Sequence, residues 1–288
     1  VRSAFTTLLA ILNPGRQPAS LRHVSEVDDL RLIAGQIYLE LDAHLRDGRL
    51  ARPMFAPHGL GPTLVEPALA ALARQGAELR FGAVLKALDE NDGTLAGLRF
   101  DGGEAVALAP GEALVLAVPP ARLNALWPEA GAPEEVSSIL NAHFVPDGPV
   151  AAPPILGVVG GRTQWIFSKP GLVSLTISAA EHVDGTEAAH EALLPALWHE
   201  TRVALGLPAT ATYSAARIVH ERRATFRQTP ANVARRAKTL TRVANLVLAG
   251  DHIDTGLPAT IESAVRSGQM AAGALLGRNK RTRGSGSR

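Results

Sequence analysis

The segment Asn245–Gly268, NLVLAGDHIDTGLPATIESAVRSG, has the residue types and spacing best suited to binding chemistry. Leu246–Ala249 predict a buried strand that delivers Gly250 and Asp251 at its carboxyl end, where open α/β sheets bind ligands. A Gly/Pro loop then leads to a helix that begins near Thr260. The first turn of that helix carries free N–H groups and the positive end of the helix dipole. This arrangement suits a polyol joined to an anionic or electron-rich ring. Spacing alone leaves a second interpretation open, in which Asp251 is an ordinary turn residue.

The sequence lacks several well-known catalytic signatures. Three His-Glu pairs occur, but none has the second histidine four positions on that a zinc protease needs. The run Asp251–Asp254 fits no calcium loop and has no third ligand nearby, so no metal site is predicted. No nucleophile elbow, P-loop or kinase signature occurs, and the run GVVGG has the wrong spacing for a dinucleotide fingerprint. The catalytic residue therefore stays unknown at this stage.

The composition limits the class of protein. The chain has 288 residues, of which 46% are apolar, so it is long and apolar enough to bury a sizeable core. It has no cysteine, which excludes disulfides, thiolate metal sites and a cysteine nucleophile. Aromatic residues make up only 4%, too few for stacking platforms along nucleic acid, so no nucleic-acid partner is predicted.

The net charge of +2 conceals an uneven distribution. Basic residues are concentrated in residues 217–242 and 278–288, and the rest of the chain is acidic. One interpretation is a solvated, arginine-rich surface. The other is contact with an anionic membrane surface or with phosphates.

Changes of hydrophobic period predict the order of the elements. Residues 1–50 and the segment after Gly61 have helical spacing, and four short strands follow up to residue 120. Further strands, a helix over TEAAHEALLPALWHETRVALG, a strand over YSAARIVHERRATF, and the strand and helix of Asn245–Gly268 complete the chain. The predicted fold class is α/β or α+β, in two domains between which the chain crosses several times.

Several segments resemble one family in the same order along the chain. They are AVPP at residues 117–120, NAHF at 141–144, QWIF at 164–167, ERRATFRQTP at 221–230 and the terminal GD…TGLPATIESAVRSG. Together they resemble the flavin amine oxidase–phytoene desaturase superfamily and, within it, the squalene-associated FAD-dependent desaturases, or hydroxysqualene dehydroxylases. The resemblance extends over nearly the whole chain, up to about Gly277.

The resemblance implies FAD as cofactor and assigns residues to it by position. Asp251 would bind the ribityl chain, Gly250 would let the backbone approach the pyrophosphate, and Leu85 would lie against the adenine end. The segment that would pass the isoalloxazine consists of Gly256, Leu257, Pro258, Ala259, Thr260 and Ile261.

The resemblance also implies a domain plan. It is a Rossmann-like FAD-binding domain interleaved with an α+β substrate domain, of which this chain matches the C-terminal two-thirds. The family's N-terminal unit with its glycine fingerprint is missing from the sequence, and a complete site would need it. The predicted segments are a helical part of the substrate domain at 1–55, an FAD-domain segment at 56–120, the substrate domain at 121–242, a C-terminal FAD-binding segment at 243–277 and a flexible basic tail at 278–288.

The implied reaction replaces an allylic hydroxyl of a long isoprenoid by hydride, converting hydroxysqualene to squalene. His143, Trp165 and Phe167 are the candidate substrate residues. A carotenoid-type desaturase or an amine oxidase remains an alternative, as does a non-catalytic remnant or interaction module. The water-insoluble substrate, together with the lack of any membrane-spanning apolar run, predicts a cytoplasmic protein with peripheral membrane contact through the basic C-terminal third.

Overall fold

The computed structural model describes residues 56–284, with side chains up to residue 277. The chain forms two interleaved units that change over at Arg80, Val136 and Phe226. The sequence placed its domain boundaries at residues 56, 121 and 243. The helical prediction for residues 1–50 lies outside the described residues.

The first unit is built on a five-stranded sheet with the order β6-β7-β8-β5-β9, in which β6, β7, β8 and β5 pair antiparallel. Alternate residues of its central strands are buried and their neighbours are half-buried, the pattern of a sheet with one face in a core. The strands are β5 Val136–Pro146, β6 Ile155–Gly157, β7 Trp165–Lys169, β8 Leu172–Ser178 and β9 Tyr213–Phe226.

Two helices of this unit are described. Helix α1 (Glu66–Arg74) follows a π-helical turn at Gly61–Val65, and helix α3 spans Glu187–Ala204. Thr186 caps α3 by accepting a hydrogen bond from the N–H of Ala189 at 3.3 Å. Leu197 and Trp198 of α3 pack against the buried face of the five-stranded sheet, so α3 covers that face.

The second unit contains two small sheets. Strands β1 (Leu85–Asn91), β2 (Thr94–Phe100) and β3 (Ala105–Ala107) form an antiparallel meander. Strands β4 (Leu114–Leu116) and β10 (Leu246–Leu248) form a parallel pair. Helices α2 (Pro120–Leu126), α4 (Pro230–Ala234) and α5 (Ile261–Gly284) belong to the same unit, as do the 3-10 turns Asp101–Gly103 and Pro128–Ala130.

Asn245 joins the meander to the parallel pair. Its side chain accepts a hydrogen bond from the N–H of Leu95 at 2.7 Å and donates to the carbonyls of Leu95 and Glu112 at 3.0 and 3.2 Å. The carbonyl of Asn245 accepts from the N–H of Leu114 at 2.8 Å, which begins the parallel pairing. One side chain thereby fixes the position at which β10 enters the unit.

Most predicted elements are present, with shifted ends. The strand over residues 213–226 and the helix over 187–204 agree closely with the sequence pattern. The long strand β5 was not predicted, because Ser, Asn and His on its second face interrupt the apolar run. Helix α5 continues to Gly284, into the segment predicted as a flexible tail, since Arg and Lys are good helix formers.

The length and polarity of the described helices decide whether they could span a bilayer. Within residues 56–284, none of them combines the length and apolar character needed to cross a membrane.

Candidate functional site

The first site lies at the carboxyl end of β10. Leu246, Val247 and Leu248 are buried, so the strand is held in the core while its end reaches Gly250 and Asp251. Gly250 has φ 142°, and a Cβ there would collide with the ring of His252. Its N–H donates to Ser267 Oγ at 2.8 Å, which ties it to α5. Position 250 therefore requires glycine, because the His252 ring occupies the place of a Cβ.

The guanidinium group of Arg236 binds three backbone carbonyls of the loop that begins at Asp251. Arg236 donates through Nη2 to the carbonyls of Asp251 at 3.0 Å and Ile253 at 2.5 Å. It donates through Nη1 to the carbonyl of Leu257 at 2.6 Å. Arg236 is buried, and its guanidinium carbon lies 5.7 Å from the centroid of the Phe226 ring.

The start of α5 closes the other side of the loop. Thr260 Oγ1 accepts from the N–H of Ser263 at 3.3 Å, so Thr260 is the N-cap and Ile261 the first helical residue. The buried Ser263 hydroxyl lies 2.6 Å from Thr255 Oγ1 and 3.3 Å from the Asp251 carbonyl. The side chain of Ile261 is 54% exposed, so the first turn presents an apolar group beside its outward-facing N–H groups.

Asp251 and His252 carry polar atoms that the described protein does not satisfy. The carboxylate of Asp251 is partly exposed and lies 3.6 Å from His252 Nδ1, beyond hydrogen-bond reach. His252 is buried, and neither of its ring nitrogens has a hydrogen-bond partner within the described residues. Orphaned buried nitrogens beside an available carboxylate fit a site completed by a polar ligand or water.

The predicted cofactor residues all lie in the second unit. Gly250 and Asp251 follow β10, and Gly256 to Ile261 form the loop and first helical residue after it. Leu85 begins β1, and its carbonyl accepts a hydrogen bond from Arg122 Nη2. The individual roles of these residues stay predictions.

A second candidate site is the face of the five-stranded sheet opposite the core, here called the polar face. Strand register places Phe167 opposite Ser174 and Ser174 opposite His143, which makes one row across three strands. The next row has the order Trp165, Thr176 and Asn141. With Lys169, these side chains make up the polar face, and each is half-buried. The three predicted substrate residues, His143, Trp165 and Phe167, therefore share one surface.

His143 has a defined partner and a shifted charge state on this face. Its Nδ1 lies 2.8 Å from Ser174 Oγ. Burial lowers the pKa of His143 from its ordinary value, and the positive charges of Lys169 and Arg217 lower it further. A depressed pKa keeps the imidazole neutral near pH 7, so the His143–Ser174 pair can both donate and accept hydrogen bonds.

Sequence reasoning missed the residues that hold these sites in place. Arg236 lies in a basic run that indicated only a charged surface, and nothing local distinguishes it from Arg235. Ser263 and Ser267 are four residues apart at the start of a helix, a small-polar spacing that could have indicated a face turned toward the loop. Ser174 could be found only through strand register.

Comparison with known families assigns the class of protein. Residues 30–276 match the flavin containing amine oxidoreductases. The chain belongs to this family, which confirms the predicted α/β flavoprotein fold and FAD as the cofactor. The glycine at 250, the open carboxylate of Asp251 and the capped start of α5 fit that cofactor.

Two relatives that are more than 40% identical to this chain are both named hydroxysqualene dehydroxylase. The chain is 43% identical over 232 residues to the hydroxysqualene dehydroxylase of Rhodopseudomonas palustris. The matched region covers 81% of this chain and 54% of that protein. It is 41% identical over 244 residues to the hydroxysqualene dehydroxylase of Sinorhizobium fredii, covering 85% of this chain and 57% of that protein. The chain therefore spans little more than half the length of these relatives.

Solved structures share the fold at low sequence identity. Iminodiacetate oxidase from Chelativorans sp. BNC1 has a TM-score of 0.51 at 17% identity, over 75% of this chain and 55% of that one. The PF1083 protein from Pyrococcus furiosus has a TM-score of 0.55 at 11% identity, over 95% of this chain and 62% of that one. These likenesses concern the fold alone.

We expect Gly250→Ala to weaken FAD binding at least tenfold, because the methyl group meets the His252 ring and strains a backbone at φ 142°. Fluorescence titration of the apoprotein with FAD measures the change in Kd. The matched control is Gly268→Ala in α5, where a Cβ meets nothing within 4 Å. It should keep the wild-type Kd and stabilise the helix by about 0.5–1 kcal/mol. Equal Kd values for the two variants would contradict the prediction.

The depressed pKa of His143 predicts a pH-dependent stability. The unfolded chain binds more protons than the folded chain between the lowered pKa and the ordinary value of 6.5. The contribution of His143 to the free energy of unfolding is therefore complete at a pH above 6.5. It decreases as the pH falls from 6.5 toward the lowered pKa of the folded protein. Urea unfolding at pH 7 and pH 5 measures this effect. The free energy of unfolding should fall less between these two pH values in His143→Gln than in wild type. A loss of unfolding free energy in His143→Gln equal to that in wild type would count against the assignment.

Proposed function

We propose that this chain takes part in the reductive dehydroxylation of hydroxysqualene to squalene, a step of squalene and hopanoid biosynthesis. The observation that carries the proposal is the 43% and 41% identity to two hydroxysqualene dehydroxylases over more than four fifths of the chain. In the reaction, the allylic C–O bond breaks, the hydroxyl leaves as water after taking up a proton, and hydride forms the new C–H bond. The two electrons and the hydride would come from reduced FAD when it is bound.

The polar face supplies what such a substrate needs. Trp165 and Phe167 offer apolar rings to an isoprenoid chain, and the Trp165 ring lies against Gly157 of the neighbouring strand. The His143–Ser174 pair is the hydrogen-bonding group for the single hydroxyl. A neutral imidazole suits this role because it orients the hydroxyl without placing another positive charge beside a developing allylic cation.

The loop of the second unit supplies the cofactor contacts. Asp251 would bind the ribityl hydroxyls through its carboxylate, and the glycine at 250 would admit the pyrophosphate. The outward N–H groups at the start of α5 would stabilise the negative charge that gathers on the reduced ring. Ile261 would offer an apolar contact to that ring.

The experiment uses the complete product of the gene, incubated anaerobically with hydroxysqualene and a flavin reductant, and measures squalene by mass spectrometry. We expect squalene only from flavin-loaded protein. Ser174→Ala should lower kcat/KM about three- to tenfold, the effect of one lost hydrogen bond. The matched control is Ser178→Ala, on the same strand and facing the same side, which should keep wild-type kcat/KM.

Other products would identify the alternatives. New double bonds in a polyene would indicate a carotenoid-type desaturase, and an oxidised amine would indicate an amine oxidase. Protein that binds no flavin would indicate a non-catalytic remnant or interaction module. Each of these results overturns the dehydroxylase proposal.

We also propose peripheral contact with an anionic membrane, because the substrate is water-insoluble. The structure restricts which arginines could serve. Arg235 pairs with Glu134 at 2.7 Å, Arg236 is buried, and Arg242 pairs with Glu90 and Glu129. Three cations of the basic segment thus have internal partners, which leaves exposed groups such as Arg223 and Arg227 for a surface role.

Co-sedimentation with phosphatidylglycerol vesicles tests this contact. Binding should be present at low salt and lost as ionic strength rises, since surface charges are screened within a Debye length. Arg223→Ala with Arg227→Ala should reduce it, whereas phosphatidylcholine vesicles should bind neither protein. Absence of salt-sensitive binding in the wild type would reject the contact.

A further inference from the structure

We propose that Arg236 is the positioning residue of the cofactor loop, here defined as residues 250–263. Its buried guanidinium holds the loop in the shape that receives FAD. The inference rests on the proposed cofactor site and extends it to a residue outside the loop that does not itself carry a cofactor contact.

The first support is the convergence of three carbonyls on one side chain. Arg236 reaches the carbonyls of Asp251, Ile253 and Leu257 through its two Nη atoms, and its Nη2 also lies 3.3 Å from Ser263 Oγ. The loop contains no regular secondary structure between Leu248 and Ile261, so these carbonyls accept no backbone hydrogen bond of a strand or helix. Three carbonyl dipoles aimed at one point repel each other unless a cation lies there.

The second support is the position of each carbonyl relative to the cofactor residues. Two of the three belong to Asp251 and Leu257, which were assigned to the ribityl chain and the ring. Because the peptide unit is planar and trans, turning the Asp251 carbonyl toward Arg236 turns the N–H of His252 the opposite way. Arg236 thereby sets the direction of backbone groups on the cofactor side of the loop.

The third support is the setting of the guanidinium itself. Phe226 lies beside it at 5.7 Å from the ring centroid, and the residue as a whole is 8% exposed. Burial lowers the pKa of Arg236 from its ordinary value, while the negative charges of Asp254 and Asp251 oppose that change. The planar fork, rather than charge alone, accounts for three simultaneous carbonyl contacts, and a lysine ammonium cannot reproduce it.

The experiment compares Arg236→Lys and Arg236→Met with wild type in the complete gene product. FAD Kd is measured by titration of the apoprotein, and amide hydrogen exchange of residues 250–263 is measured without FAD. We expect both variants to weaken FAD binding at least tenfold and to accelerate exchange in the loop of the apoprotein, with exchange in β5 and β8 unchanged. Lysine should not rescue, since it retains the charge but loses the fork.

The matched control is Arg235→Met at the neighbouring position, whose guanidinium is exposed and pairs with Glu134. It should retain wild-type FAD Kd and loop exchange. If Arg236→Met does not fold, two other variants test the positioning role in the same assays. They are Arg236→Lys and Ser263→Ala, the second of which removes the hydroxyl that contacts both Arg236 and the loop. FAD Kd within twofold of wild type in folded Arg236 variants overturns the inference, as does full rescue by lysine. A wild-type protein that binds no FAD overturns the proposed function instead.

Discussion

A buried cation surrounded by backbone carbonyls is the interaction on which the second unit depends. The loop after β10 turns sharply, returns and enters a helix, and it does so with few hydrogen bonds between its own backbone groups. Arg236 compensates for this by donating to the carbonyls of Asp251, Ile253 and Leu257 from outside the loop. Removal of such a group would leave buried acceptors unsatisfied, which costs more than the hydrogen bonds themselves contribute.

The two units carry candidate sites of different chemical character. The second unit supplies backbone N–H groups, a carboxylate and a glycine at the end of a parallel strand pair, which are features for a charged and polar cofactor. The first unit supplies a sheet with one face in the core and one face that carries aromatic rings beside a single neutral imidazole.

Much of the fold and part of the site followed from the sequence, for local reasons. The glycine and aspartate after a buried apolar run, the Gly/Pro loop and the Thr-capped helix are contiguous, so their geometry depends on neighbouring residues. Strand β5 was missed because its second face carries Asn141 and His143, which break the apolar pattern that makes strands visible. The roles of Arg236 and Asn245 were missed because charge and amide content do not reveal which distant carbonyl a side chain will reach.

The sequence by itself determined the order of most helices and strands and the family to which the chain belongs. These properties are carried by periodicity and by short contiguous segments. Only the tertiary structure decided that His143, Ser174 and Phe167 form one row, because strand register brings together residues as much as 31 positions apart. It also separated Arg236, buried under the loop, from Arg235, exposed beside Glu134, two arginines that are equivalent in sequence and opposite in environment.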